Sequence, residues 1–254
     1  MIARYAGGES GARVASRSGS VVVMVDAFRA STTIAVLISK GARVVPVASV
    51  AAAASAATDF RIGERGSAKV AGFDFGNSPT EILGSEIPPG STVALSTTNG
   101  TRIVEAARGA KTILTGAFVN AGILAECLAG GTYDGAEVVV VGCGWERRRA
   151  SEDEAAAGAI LHRLQSRGAD LDMRARRVVE GYLARSVRTL QNNSAAQRLK
   201  RLGYEEDLEF CLAEDTVPVV PRLVGDAFVG GIASPEWLHQ SSAIRPTQKA
   251  QISS

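Results

Sequence analysis

The apolar positions of this chain fall in short, unbroken runs separated by polar corners. Val21-Val22-Val23-Met24-Val25 and Val138-Val139-Val140-Val141 are too short for helices and too continuous for half-exposed strands. Each therefore reads as a strand buried on both faces of a parallel sheet. Further strands are predicted at 43–47, 92–96 and 112–115. Helical spacing or alanine-rich text lies between and after them, at Ile34, Leu37 and Ile38, then at 50–57, 101–108, 119–128, 152–165, 173–187, 195–202 and 205–213. Strands alternating with helices at this spacing predict an α/β fold, a layered and mostly parallel sheet with helices on both faces.

The reading takes 1–254 as a single domain, with a subdivision near 130–150 left open and a polar tail at 240–254. Val21 to Val25 is its first strand. Residues 1–19 are broken by Gly, Glu, Ser and Arg and have no apolar leader core. Residues 60–89, rich in Gly and polar side chains, read as one long irregular loop, and such loops inside domains are usually functional. The apolar stretch 217–229 is interrupted by Pro218, Pro221 and Gly225.

Composition narrows the partners. With 28 Lys and Arg against 26 Asp and Glu, the net charge of +2 gives no broad field for nucleic acid or an anionic membrane surface. A small-molecule partner is expected. The cysteines Cys127, Cys143 and Cys211 are odd in number and lack a C-x-x-C pair, which fits reduced thiols and a cytoplasmic location. No run approaches the length of a membrane span. A homo-oligomer is left open.

The chemistry concentrates at the corners after strands. Asp26 with Arg29, Glu64 with Arg65, Asn77 with Ser78, and Thr97-Thr98-Asn99-Gly100-Thr101 together supply oxygen ligands for a hard cation, guanidinium groups for phosphate oxygens, and hydroxyl donors. That set is what phosphoryl transfer requires. Each also has an ordinary reading: Glu64-Arg65 as a solvated pair, Ser78-Pro79-Thr80-Glu81 as a capping box, Asn99-Gly100 as a tight turn. Ser151-Glu152-Asp153-Glu154 resembles a second capping box, yet follows strand 138–141 closely enough for Glu152 or Asp153 to serve a metal.

Several signatures are absent. Asp26 is not followed by a second Asp two positions on, as haloacid-dehalogenase phosphatases require, and there is no Walker A loop and no G-x-S-x-G. Cys143 and Arg149 have the C-x5-R spacing of thiolate phosphatases, with Gly142 where those have His. His162 and His239 are isolated. A cysteine mechanism and a non-catalytic binder of small anions stay open as alternatives.

Five stretches resemble, in order, the 2-phosphosulfolactate phosphatase family of coenzyme M biosynthesis. They are Val25 through Thr33, Gly63-Glu64-Arg65, Gly72 through Pro79, Thr97 through Thr101, and Ser151-Glu152-Asp153 with Gly158. The segment from Ser194 to Cys211, with Leu199, Gly203 and Asp207, resembles that family's C-terminal pattern. The resemblance implies a Mg2+-dependent phosphatase that releases phosphate and sulfolactate, on an α/β fold of its own type. It is consistent with Asp26, Glu64 and Asp153 as metal ligands, Arg29 or Arg65 neutralising the phosphoryl group, and Asn77, Ser78, Thr97, Thr98, Asn99, Gly100 and Thr101 binding the substrate. Other arginines, Arg148 or Arg149 among them, would hold its carboxylate and sulfonate. Trp145 through Arg149 departs from the small polar loop expected there.

Overall fold

The computed structural model describes residues 1–145 and 148–230. In chain order the elements are β1 (Ile2–Gly7), α1 (Gly8–Arg17), β2 (Val21–Val25), α2 (Ala30–Ser39), β3 (Arg43–Pro46), α3 (Val50–Ser55), β4 (Phe60–Arg65), β5 (Ala68–Lys69) and α4 (Pro79–Leu83). There follow β6 (Thr92–Ser96), α5 (Gly100–Ala107), β7 (Thr112–Thr115), a 3-10 turn at Phe118–Asn120, α6 (Ala121–Ala129), β8 (Glu137–Gly142), α7 (Ser151–Gln165), β9 (Asp170–Leu171) and α8 (Met173–Leu183). The chain continues through α9 (Val187–Leu190), α10 (Ser194–Arg201), α11 (Glu205–Leu212), β10 (Pro221–Val224) and β11 (Ala227–Gly230). The predicted tail at 240–254 lies outside the described residues.

The eleven strands among the described residues join in one sheet, ordered β5-β4-β6-β3-β11-β10-β7-β2-β8-β1-β9. The apolar runs behave as their continuity predicts. Val21, Val23, Val25, Val138 and Val140 pack into one core with α6, α7 and α8. Val22, Met24, Val139 and Val141 pack into the other, with α1, α2 and α5. Strict alternation of faces along a strand buried on both sides gives the three layers.

The sheet contains two parallel blocks. β7, β2, β8, β1 and β9 run together, as do β3, β6 and β4. Between them lies the β10–β11 hairpin, antiparallel to both neighbours, so the second block runs opposite to the first. Sheet twist amounts to roughly 20° to 25° per strand. Five steps separate β2 from β6, and that rotation lets loops from opposed blocks approach each other. The Asp26 and Thr97 corners thus meet although β2 and β6 run in opposite directions, a Cβ at Gly100 lying 3.5 Å from Asp26 Oδ2.

Two expectations need correction. Residues 1–19 hold β1 and α1, so Val21–Val25 is the second strand; Ala3 and Tyr5 are buried while Ile2 is exposed, a period-two alternation. The supposed loop 60–89 contains β4, which pairs in parallel with β6, the short β5 and α4. Tertiary pairing supports β4: at Gly63 a Cβ would stand 2.8 Å from the Phe73 ring, so glycine admits a contact that apolar counting does not register. At 217–229 the prolines and Gly225 punctuate the β10–β11 hairpin.

Candidate active site

Three helix N-termini converge on the carboxyl end of β2. Asp26 follows that strand directly, and the Ala30 N–H at the start of α2 donates to its Oδ1 at 3.4 Å. Gly100 opens α5, with Asn99 at its N-cap. A Cβ added there would lie 3.5 Å from Asp26 Oδ2 and 3.2 Å from Thr97 Oγ1. Glycine therefore lets the second corner close onto the first. The Asn99-Gly100 pair starts a helix and is not a hairpin turn.

The third N-terminus brings acids. Asp153, in the first turn of α7, accepts the Ala27 N–H on Oδ1 and the Gly144 N–H on Oδ2, both at 2.8 Å. It thereby ties the β2 corner to the β8 corner. The predicted Ser151 capping box is not formed: Ala150 is the N-cap, and Ser151 Oγ contacts Glu152 Oε2 at 3.4 Å. Glu152 is buried and takes the Asn193 side-chain amide at 2.7 Å.

Glu64 comes from the other block. It is buried, its Oε1 accepts the Thr98 N–H at 2.7 Å and its Oε2 the Ser67 N–H at 2.8 Å. The Ser78 cap is observed, since Ser78 Oγ accepts the Glu81 N–H. That hydroxyl also donates to Asp207 Oδ1 at 2.7 Å.

Electrostatics mark Asp26. Burial first, then the Glu64 carboxylate, push its pKa up to about 7, with Glu152 adding to the rise. The Ala30 N–H and Arg29 pull the other way. Asp153 is raised well above the usual range by burial, Asp26 and Glu152, and Glu152 is raised by burial. These carboxyls titrate as a set.

The predicted arginines separate. Arg29 is buried, its guanidinium donating to Asp207 Oδ2 and to the Ser67 carbonyl, both at 2.6 Å, beneath the Tyr204 ring at 4.1 Å. Both of its terminal nitrogens are thus bonded within the protein, and its charge opposes the rise of the Asp26 pKa. Arg65 is exposed at the end of β4 and donates to Ser96 Oγ at 3.1 Å, next to the Thr97 corner. Thr101 donates to the Thr97 carbonyl at 3.2 Å, a bond from the first turn of α5 back to the corner that precedes it. Asn77 Oδ1, Thr97 Oγ1 and Thr98 Oγ1 are buried with no hydrogen-bond partner among the described residues. Buried polar atoms of this kind call for a ligand or water.

The cysteine alternative fails on its surroundings. Cys143 is buried, and burial, Asp26 and Asp153 push its thiol well above the usual value, the opposite of an activated thiolate. Arg149 is exposed and paired with Glu154.

Sequence reasoning missed Asn193, Arg198 and Ser67 as site neighbours. Arg198 stacks on Trp145 at 3.9 Å and donates to Ser67 Oγ at 2.9 Å. Its basic helix, Arg198 to Arg201, carries no sequence mark that distinguishes one arginine from its solvated neighbours.

The donor set fits a hard cation of the Mg2+ kind in one specific manner. Among the described residues no three His, Cys, Asp or Glu side chains could enclose a metal together. Mg2+ commonly takes one or two carboxylates and leaves its other positions to water and phosphate. Asp26, whose Oδ2 faces Gly100, and Glu64, which raises the Asp26 pKa, or Asp153, whose own pKa Asp26 raises, are the carboxylates that could hold such an ion.

An α/β sheet with carboxyl groups at its strand ends, helix N-termini facing them and arginines around the cleft defines a protein built to take a small anion. The family model for 2-phosphosulpholactate phosphatase matches residues 11–226. The chain belongs to that family. It is 38% identical over 207 residues to a protein of Gloeobacter violaceus, covering 79% of this chain and 86% of that one. Relatives in Thermosynechococcus vestitus (36% over 215 residues, 78% and 87%) and Thermotoga petrophila (35% over 211 residues, 82% and 90%) are similar. All three bear the name probable 2-phosphosulfolactate phosphatase.

Proposed function

We propose that the protein is a phosphomonoesterase that cleaves 2-phosphosulfolactate to sulfolactate and phosphate, with Mg2+ as cofactor. Family membership and the names of its relatives support the phosphatase activity and the substrate. The observation that carries the site assignment is the approach of Gly100 and Thr97 to Asp26 from an opposed sheet block, with Glu64 bonded to the same corner. When bound, Mg2+ supplies charge for the phosphoryl oxygens and orients them.

The chain's own residues do the rest. Asp26 and Glu64 hold the cation, and the positive ends of α2 and α5 lower the cost of negative charge in the cleft. The unpaired hydroxyls of Thr97 and Thr98 donate to phosphate oxygens. Arg65 approaches from the exposed rim and neutralises the departing group. Asp153 fixes the β2 and β8 corners through two backbone N–H bonds, so that Asp26 keeps its aim.

Phosphate release from 2-phosphosulfolactate and a panel of small phosphate esters tests the reading, with Mg2+, with chelator and after thiol alkylation. Turnover that needs Mg2+ and survives alkylation is the expected result. Turnover that is indifferent to chelator refutes the cofactor; no turnover on any ester refutes the enzyme and favours an anion binder.

A further inference from the structure

Beside the carboxyl cluster lies a cavity of about 460 Å³ that the phosphoryl chemistry does not account for. It opens between β1, α1, α5 and the β8 corner. Arg13, Arg102, Arg148, Arg149 and Arg174 line it, against the carboxyls of Glu9 and Asp153. Asn99, the N-cap of the helix that closes onto Asp26, and Asp153, bonded to the corner after β2, line it, so the cavity borders the corners around Asp26.

Two of those arginines are held in position. Glu9 Oε2 pairs with Arg13 at 2.9 Å and Glu9 Oε1 with Arg102 at 3.1 Å. One carboxylate thus orients two guanidinium groups from different helices, α1 and α5, and balances only one of their charges. Both side chains stay about half exposed at the cavity wall, so each has N–H groups left to donate. Arg174, in the first turn of α8, also lines the cavity and has no carboxylate partner among the described residues. Guanidinium forks match the flat or trigonal oxygen sets of carboxylates and sulfonates.

A phosphate monoester alone needs one anion site, and the Asp26 cleft is that site. The second cluster answers a substrate with another anionic group a few bonds from its phosphate. We infer that Arg13 and Arg102, clamped by Glu9, with Arg174 in the same cavity, form the subsite for the sulfonate end of the substrate, so that a sulfonated hydroxy-acid phosphate gains contacts there that a plain one lacks. This assignment rests on the phosphatase reading for the identity of the substrate, and on the cavity's own charge for the kind of group bound.

The test compares wild type with the double variant R13Q/R102Q on two esters, 2-phosphosulfolactate and 2-phospholactate, which lacks the sulfonate. Both positions are exposed and their pairs with Glu9 contribute little to stability, and an unchanged urea midpoint confirms folding. Losing charge-assisted hydrogen bonds to one anionic group corresponds to about a 10-fold to 100-fold loss of affinity. The expected result is that the ratio of kcat/KM for the two esters falls by about 10-fold or more, through KM for the sulfonated one. An unchanged ratio overturns the subsite.

Sulfolactate, which has no phosphate to lose, is the second probe, titrated calorimetrically into both proteins. Binding by wild type that weakens about 10-fold or more in R13Q/R102Q supports the subsite even if no ester is turned over, in which case only the phosphatase reading fails. Turnover of 2-phosphosulfolactate by wild type, with equal sulfolactate affinity in both proteins, leaves the phosphatase reading intact and overturns this one.

Discussion

Replacing Asp26 by Asn should stabilise the cation-free protein, by an amount that grows with pH. The Asp26 carboxyl is pushed from 3.8 up to about 7, first by burial and then by Glu64. That rise of about three units, at about 1.4 kcal/mol each, sets an upper limit of roughly 4 kcal/mol on the cost of ionising it in the fold. Coupling to Glu152 and Asp153 shares the proton among neighbours, so a gain of about 1 to 3 kcal/mol is expected. The sign follows from proton uptake. Unfolded chain releases this proton near pH 4 while the folded protein keeps it until near 7, so wild-type stability falls as pH rises through that window and is flat for this group above it. The neutral Asn escapes the penalty. Urea unfolding in chelator at pH 5, 6, 7 and 8 reads the difference directly. Adding Mg2+ should raise the wild-type midpoint by binding the native state, and leave the variant unmoved. A variant less stable than wild type at pH 8 in chelator, or a difference equal at pH 5 and pH 8, would refute the reasoning.

Other perturbations probe the surroundings. Arg29→Met leaves Asp207 buried without its cation, and urea unfolding should show a loss of about 3 to 5 kcal/mol; a loss under about 1 kcal/mol would mean that Ser78 and Thr80, whose hydroxyls both donate to Asp207 Oδ1, satisfy it alone. Cys143→Ser should keep most of its phosphate release, because the thiol is buried among carboxyls, and an inactive but folded variant would revive the thiolate route. At Gly144, where φ is +73° and a Cβ would stand 2.3 Å from the Arg148 carbonyl oxygen, Ala should cost more than about 1 kcal/mol by the same unfolding assay; a neutral change would show that this loop relaxes freely.

How much of this was legible beforehand differs from residue to residue. The all-apolar Val21–Val25 and Val138–Val141 runs announced a sheet covered on both faces, because continuous burial leaves no other pattern. That Asp26 and the Thr97 to Thr101 segment are corners between a strand and a helix was legible, since an apolar run ends and a helical spacing begins at each. Their true relation was not. Opposed sheet blocks joined by the β10–β11 hairpin arise from non-local pairing, and no local spacing encodes which strand a hairpin adds to. β4 was hidden for the same reason, its stability coming from β6 and from Phe73 over Gly63. Arg29 illustrates a second limit: next to Asp26 in sequence it resembles a phosphate ligand, yet Asp207, 178 positions away, takes its guanidinium. The Arg13 and Arg102 pair was invisible because each alone resembles an ordinary surface charge on an amphipathic helix.

The most direct test of the central claim is Mn2+ bound in place of Mg2+ and followed by electron paramagnetic resonance, with and without inorganic phosphate. In wild type the free-ion signal should fall on mixing with protein and change again when phosphate joins the cation, while Asp26→Asn should leave the free-ion signal standing. Identical Mn2+ uptake by wild type and variant would contradict the account, because the cation would then be held somewhere other than the cleft between Asp26, Glu64 and the Thr97 corner.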